Sequence, residues 1–175
     1  LDYYFFFDNN DTKEHGASIT ANFRDWYQKN QIAFDTKLDL FNRTALTDTT
    51  TNLVLSVNPW VQTNGEEWNA VLGVNVVTVI DPDANSETYF YPNISFDFAL
   101  ADRFLLTYWG FTGKLESNFN KATTLINPYI ANDYEIKPTR HQKIIYGGVK
   151  GYISSNLSFD IKATYSELAD KMLFV

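Results

Sequence analysis

The stretch Gln31–Phe41 reads QIAFDTKLDLF and alternates between apolar and polar side chains along its whole length. One face of such a strand carries Ile32, Phe34, Thr36, Leu38 and Leu40, and the other carries Gln31, Asp35, Lys37 and Asp39. A period of two residues is typical of a β-strand with two chemically different faces. The stretch is also about twice as long as the commonest strand of soluble proteins. It suits a wall that separates an apolar from an aqueous phase.

The same alternation recurs along the chain and predicts about ten antiparallel strands. They are expected near residues 1–8, 16–27, 31–42, 51–63, 67–80, 87–100, 103–117, 141–154, 157–167 and from 171 onward. We therefore expect an all-β fold over residues 1–175, an up-and-down meander that forms a single segment of a transmembrane β-barrel. The apolar stretch Met172–Val175 has no turn after it. We expect the barrel to be truncated at both ends of the chain.

Short and long connections alternate between these strands. Tight turns are expected at residues 29–30, 63–65, 101–102 and 155–156, where turn-forming residues favour hairpins. Longer loops are expected at residues 9–15, 43–50, 81–86 and 118–140. In a meander this alternation places the tight turns at one rim and the long loops at the other. Bacterial outer-membrane barrels have this asymmetry, with short periplasmic turns and long outer loops.

Composition argues against several classes of protein. The net charge of −7 comes from dispersed acidic residues and the basic residues form no cluster, so we expect no nucleic-acid partner. The chain has no cysteine, which removes disulfides, thiolate metal sites and thiol nucleophiles together. Aromatic residues make up 17% of the chain, a proportion that fits strands better than helices. No apolar run approaches the roughly 18 residues that a transmembrane helix requires.

Periodicity alone leaves open whether the apolar faces point outward to lipid or inward to a core. Strands longer than a small soluble barrel needs, and polar faces rich in Asn, Ser, Thr, Tyr and Gly, favour outward apolar faces. We predict that Ile32, Phe34, Leu38 and Leu40 face lipid. Aromatic residues near strand ends are typical of the girdles at the two membrane interfaces. The tryptophans predicted to form these girdles are Trp26, Trp60, Trp68 and Trp109.

Motifs for catalysis or metal binding are weak. Residues 81–87 place oxygen side chains at alternate positions, as a calcium loop does, but Ser86 replaces the required glycine and Pro92 replaces the bidentate glutamate. Neither His15 nor His141 has a partner at a recognised metal-motif spacing. No nucleophile elbow, zinc-protease, P-loop or dinucleotide motif occurs. We therefore expect no enzyme activity, no cofactor and no metal site.

The segments Pro92–Phe104 (PNISFDFALADRF), Asn127–Tyr129 (NPY) and Tyr146–Ser166 (YGGVKGYISSNLSFDIKATYS) combine long strands, Asp-Arg or Ser-Asn turns and an Asn-Pro-Tyr loop. They resemble the barrel part of TonB-dependent-receptor-like outer-membrane proteins of the Bacteroidetes type. The resemblance covers about half of the chain well. It implies a barrel in the cell outer membrane whose outer loops capture nutrients such as glycans, peptides or metal chelates. True receptors also carry a plug driven by an inner-membrane energy-coupling protein, but no segment of this chain resembles a plug.

The expected partners are membrane lipid, an extracellular nutrient and, through parts outside this sequence, the energy-coupling protein. In the long outer loop, Asn127, Tyr129 and Tyr134 combine an amide with flat aromatic faces and are the predicted ligand-binding residues. Two alternatives stay open. One is a soluble secreted barrel or sandwich that buries the stripe from Ile32 to Leu40 and binds an apolar or carbohydrate ligand. The other is a structural outer-membrane barrel without transport.

Overall fold

The computed structural model describes residues 1–7, 13–44, 49–80, 86–100, 104–116, 138–154 and 156–170. The strands within these ranges are β1 Asp2–Phe7, β2 Lys13–Tyr27, β3 Asn30–Thr44, β4 Thr49–Asn64, β5 Trp68–Ile80, β6 Glu87–Leu100, β7 Leu105–Glu116, β8 Thr139–Ser154 and β9 Leu157–Ala169. They form one nine-stranded sheet in sequence order, and every neighbouring pair is antiparallel. The predicted all-β, up-and-down meander is confirmed. The tenth strand, predicted from residue 171, lies outside the described residues.

Strand pairing extends further than the alternation of side chains predicted. β2 begins at Lys13 rather than near residue 16, because residues 13–18 pair with β1 on one side and with β3 on the other. β3 and β4 pair as far as Thr44 and Thr49, which confines their connection to residues 45–48. That connection is therefore shorter than the predicted loop at 43–50. Backbone hydrogen bonds continue the ladder here although the side chains on both faces are polar.

The tight turn between β2 and β3 consists of Gln28 and Lys29, one residue earlier than predicted, because Tyr27 pairs with Asn30. Gln28 has φ 58°, in the left-handed region that two-residue hairpin turns use. This turn and the strand ends Asn64, Leu100 and Ser154 lie at one end of the sheet, which we call the short-turn end. The strand ends Phe7, Thr44, Ile80 and Glu116 lie at the other, the long-loop end.

The register aligns a row of apolar side chains from β3 to β9. One row of paired residues runs through Ile32, Val61, Leu72, Ile94, Phe111, Ile145 and Tyr165. The neighbouring row, on the opposite face, runs through Ala33, Trp60, Gly73, Asn93, Thr112, Ile144 and Ser166. We call the face of the first row the apolar face and that of the second row the polar face. A shift of one residue at any pair would mix the two.

The polar face is the concave one. Alternate strands of a sheet lie roughly 10 Å apart, so their side chains meet only where the sheet curves toward them. On the polar face Asn93 of β6 donates to the Asn58 side-chain oxygen of β4 at 3.2 Å, over β5. The Arg24 guanidinium of β2 lies 5.9 Å from the Trp60 ring centroid of β4, over β3. The ring contacts of the apolar face described below join adjacent strands only.

The buried side chains of β2 to β6 lie on this concave face. From β2 to β6 they are Glu14, Ala33, Asp39, Val54, Val77 and Tyr91, and all of them belong to the polar face. The sheet is open in the described ranges, because β1 pairs only with residues 13–18 of β2 and β9 pairs only with β8. The molecule is therefore a curved wall with a sheltered polar side and an exposed apolar side.

Candidate functional site

The apolar face is exposed on every strand of the sheet. Its exposed large side chains include Tyr3 and Phe5 of β1, Phe23 of β2, Phe34 and Leu40 of β3, Val61 of β4, Leu72 of β5, Phe90 of β6, Trp109 of β7, Ile145 of β8 and Ile161 of β9. Phe90 and Ile161 are each 71% exposed. Among the four residues predicted to face lipid, Ile32, Phe34 and Leu40 are exposed and Leu38 is half-buried. A contiguous apolar surface of this extent is typical of a membrane or protein contact.

Aromatic rings line part of this face near the short-turn end. The Trp68 and Phe96 ring centroids are 6.2 Å apart, and those of Phe96 and Trp109 are 5.9 Å apart. These side chains come from β5, β6 and β7, so the three rings form a ladder across adjacent strands. The other two tryptophans predicted for a girdle, Trp26 and Trp60, lie on the polar face. A girdle on the apolar face would therefore contain Trp68 and Trp109 without them.

Trp60 belongs instead to a polar cluster that spans β2, β3 and β4 toward the short-turn end. Its indole Nε1 donates to Asp35 Oδ2 at 2.7 Å, and an Arg24 nitrogen lies 3.7 Å from Asp35 Oδ1. Arg24 also lies over the Trp60 ring. A carboxylate between an indole donor and a guanidinium orients both partners.

A second carboxylate of β3 lies in its own cluster toward β1. Asp39 pairs with Lys37 Nζ at 2.8 Å and accepts a hydrogen bond from the Ser18 hydroxyl. Tyr4 of β1 donates to the buried Glu14 at 2.8 Å. Asp35 and Asp39 share a face, as the sequence predicts, but each has separate partners rather than forming a carboxylate pair.

Tyrosine rings on the polar face lie against glycines of the neighbouring strand. Tyr108 and Gly148 are directly paired, as are Tyr146 and Gly110. A Cβ added at Gly148 would lie 2.5 Å from Tyr108 Cζ, so the ring occupies the space that a side chain would need. Glycines therefore provide a flat backbone on which aromatic rings rest.

An apolar cluster on the polar face near the long-loop end was not predicted. Val54, Val77 and Tyr91 are 6%, 2% and 4% exposed, and the partly buried residues packed against them are Phe41, Val79, Tyr89 and Leu115. The pairing of β7 with β8 shifts register between Thr112 and Lys114, and beyond this shift Leu115 lies on the polar face. The run VVTVI at residues 76–80 carried a signal for the cluster, because its valines occupy both faces of β5.

Ion pairs line the sheet at the long-loop end. Glu116, the last residue of β7, lies 3.0 Å from His141 Nε2 and 3.4 Å from Lys114 Nζ. The hydrogen bond from His141 lowers the pKa of the Glu116 carboxyl, and Lys114 adds to the effect against the opposing influence of desolvation. Arg140 of β8 lies 2.6 Å from Asp170 Oδ2 and 5.4 Å from the Tyr89 ring centroid of β6.

The predicted loop residues Asn127, Tyr129 and Tyr134 lie outside the described residues. Within the described ranges no group of three or more His, Cys, Asp or Glu side chains is arranged to hold a metal ion. The same part of the chain contains no helix of the length and hydropathy needed to cross a membrane.

A comparison of the chain with protein-family models, with curated proteins and with solved structures found no match. The two faces of the sheet carry the chemistry from which a function can be proposed.

Proposed function

We propose that this chain forms part of the wall of an outer-membrane β-barrel, with the apolar face against lipid and the polar face lining a water-filled interior. The observation that carries the proposal is the direction of curvature. A soluble barrel of lipocalin type curves around its apolar side chains. This sheet curves around its polar side chains and leaves the apolar ones exposed on the convex side. A lipid phase would cover that convex surface.

Strand length supports the same proposal. Strands β2 to β9 contain between 12 and 16 residues. A tilted strand needs about 9 to 11 residues to cross the hydrocarbon layer. The remaining residues would extend beyond the membrane, where the ion pairs around Glu116 and Arg140 lie near the long loops.

The topology adds a condition for closing the barrel. Because every step between neighbouring strands reverses direction, β1 and β9 run parallel to each other. Joining them directly would place one parallel pair in an otherwise antiparallel wall. An antiparallel barrel that contains this sheet would therefore have an odd number of further strands between β9 and β1.

We further propose that the barrel belongs to a TonB-dependent-receptor-like protein that binds or takes up an extracellular nutrient, a glycan, peptide or metal chelate. Support comes from the sequence resemblance and from the concave polar face. That face combines aromatic rings with amide and hydroxyl groups, a mixture suited to polar organic ligands.

Spin labels can test which face contacts lipid, because the chain has no native cysteine. The complete gene product, with any cysteine outside these 175 residues replaced by serine, would carry one label at a time at two adjacent positions, Ile161→Cys on the apolar face and Lys162→Cys on the polar face. A second matched pair is Phe34→Cys and Lys37→Cys. We expect high oxygen and low nickel-complex accessibility at positions 161 and 34, and the reverse at 162 and 37. Labels at 161 and 34 that are shielded from both reagents would instead support a soluble protein with a buried stripe.

Nutrient binding requires a separate measurement on the same membrane-inserted protein. A shift in melting temperature with one class of glycan, peptide or metal chelate would support a receptor. Correct membrane insertion without any such shift across these panels would favour the structural barrel without transport.

A further inference from the structure

Gly148 lies at the centre of a small patch on the polar face of β7, β8 and β9. Tyr108 and Lys162 are its directly paired neighbours on the flanking strands. Tyr146 and Lys150 precede and follow it on the same face of β8. Asp160 of β9 is paired with Lys150. We call these five side chains around Gly148 the Gly148 patch.

The two tyrosines make the patch flat. The Tyr108 ring rests over Gly148, and its hydroxyl donates to Asp160 Oδ1 at 2.6 Å, two strands away. The Tyr146 ring rests over Gly110 in the same manner. Both tyrosines are half-buried. Two rings are therefore held against the backbone on the concave side of the sheet.

The two lysines lie over these rings instead of in ion pairs. Lys150 Nζ is 5.7 Å from the Tyr108 ring centroid, and Lys162 Nζ is 4.5 Å from that of Tyr146. Within the part of the chain that the structure describes, neither amine has a carboxylate oxygen within ion-pair distance. Lys37, Lys114 and Lys143, in contrast, all pair with carboxylates.

The patch has a net positive charge in a chain whose net charge is −7. The Asp160 carboxylate accepts a hydrogen bond from the Tyr108 hydroxyl. The patch therefore contains two ammonium groups and one carboxylate that already has a hydrogen-bond partner. Lys150 and Lys162 are exposed and occupy diagonal positions on adjacent strands, roughly 7–8 Å apart at the backbone, so their long side chains can reach a common anion.

We propose that the Gly148 patch binds an acidic saccharide. Lys150 and Lys162 receive its carboxylate or sulfate group through charge-assisted hydrogen bonds. When the two lysines turn onto the anion, they uncover the outer faces of the Tyr108 and Tyr146 rings, which then receive the C–H face of a sugar ring. Hydroxyls of the same face of β9, at Ser158, Thr164 and Ser166, are available to the sugar hydroxyls. The inference rests on the proposed function in one respect, since it requires the polar face to line a water-filled space.

Calorimetric titration of the complete gene product in detergent micelles tests the proposal with defined probes. The probes are trigalacturonate, the neutral trigalactose and inorganic sulfate. We expect trigalacturonate to bind at least about tenfold more tightly than either of the other two, because they lack the anion or the ring face. Equal binding of the neutral and acidic trisaccharides would overturn the role of the lysines. Equal binding of sulfate and trigalacturonate would overturn the role of the tyrosine rings.

Variants assign the binding to the patch. The double variant Lys150→Gln and Lys162→Gln should weaken trigalacturonate binding about tenfold or more. Lys29→Gln, in the exposed turn between β2 and β3, removes a charge elsewhere and should leave the affinity unchanged. Unchanged affinity in the double variant, with its fold verified by circular dichroism, would overturn the proposal. If the protein binds trigalacturonate through these lysines but is soluble without detergent, the saccharide site stands and the membrane proposal fails.

Discussion

The Tyr108 hydroxyl of β7 and the Asp160 carboxylate of β9 form a 2.6 Å hydrogen bond across the backbone of the strand between them. Gly148 occupies the crossing point on β8, paired with Tyr108 on one side and with Lys162 on the other. Any side chain at that position would fill the space beneath the tyrosine ring. The contact therefore depends on a glycine as well as on its two polar partners.

Replacing Gly148 should disrupt this crossing. In Gly148→Ala the new Cβ would lie 2.5 Å from Tyr108 Cζ and 2.6 Å from the Ile161 carbonyl oxygen, and the latter belongs to backbone that cannot rotate away. Overpacking of this kind costs about 1–3 kcal/mol of unfolding free energy. The measurement is the urea midpoint of unfolding in detergent micelles.

The adjacent glycine provides the matched control. In Gly147→Ala the nearest atoms to the new Cβ are Tyr108 O at 3.5 Å and Trp109 Cβ at 3.7 Å, which are ordinary contacts. Its stability should change by less than about 1 kcal/mol, in either direction. Equal losses in the two variants would mean that the Tyr108 crossing has no role in stability.

A charge on the apolar face should distinguish a membrane wall from a soluble sheet. Leu72 is 58% exposed in the central strand β5. Leu72→Lys would place an ammonium group in hydrocarbon if that face contacts lipid, at a cost of about 2–4 kcal/mol near the bilayer midplane. Ser95→Lys, on the polar face of β6, adds the same charge to the aqueous side and should cost clearly less. Equal stability of the two variants in lipid vesicles would contradict the lipid contact.

Much of the fold could be predicted from the sequence because strand alternation is a local property. A strand that alternates as residues 32–40 do specifies which side chains share a face. A slip of one residue in its pairing would reverse the two faces. The same parity could have separated Trp60, which shares a face with the polar residues of β4, from Trp68. Distance from the strand ends, on which the predicted girdle rests, does not separate the two residues.

Curvature could not be predicted in the same way, because it depends on contacts between strands that are distant in sequence. The cluster of Val54, Val77 and Tyr91 joins three strands on the polar face. Nothing in the local alternation identifies which valines meet. The contact of Asn58 with Asn93 likewise passes over β5, where Gly73 pairs with Asn93 on one side and with Trp60 on the other, and this relationship depends on the register of three strands.

Removing Asp35 should weaken the polar cluster between β2 and β4. Asp35→Ala leaves the Trp60 indole without its 2.7 Å acceptor and Arg24 without its carboxylate. Loss of a partly buried hydrogen-bonded group costs about 1–3 kcal/mol. Asp35→Asn retains a side-chain oxygen for Trp60 and loses only the charge, so its loss should be smaller. Unfolding followed by near-ultraviolet circular dichroism measures both variants, and an Asn variant as unstable as the Ala variant would assign the effect to the ion pair alone.

Acid should weaken the long-loop end of the sheet through Glu116. Because His141 and Lys114 lower the pKa of this carboxyl in the folded protein, its contribution to stability is present above the ordinary value of 4.5. This stabilisation is lost progressively as the pH falls below 4.5 and then past the lowered pKa that Glu116 has in the folded protein. Carbon-13 titration of the Glu116 carboxyl, assigned with Glu116→Gln, should give a midpoint below 4.5.

The two partners should differ in their effect on that midpoint. His141→Gln removes the largest cause of the lowered pKa and should move the Glu116 midpoint upward, toward 4.5. Lys114→Gln should move it in the same direction by less, because Lys114 is the weaker influence. Glu116 contributes a loss of stability that begins below pH 4.5. In Glu116→Gln this contribution should disappear. A midpoint that is the same in all three proteins that retain Glu116 would show that the 3.0 Å contact with His141 does not stabilise the carboxylate.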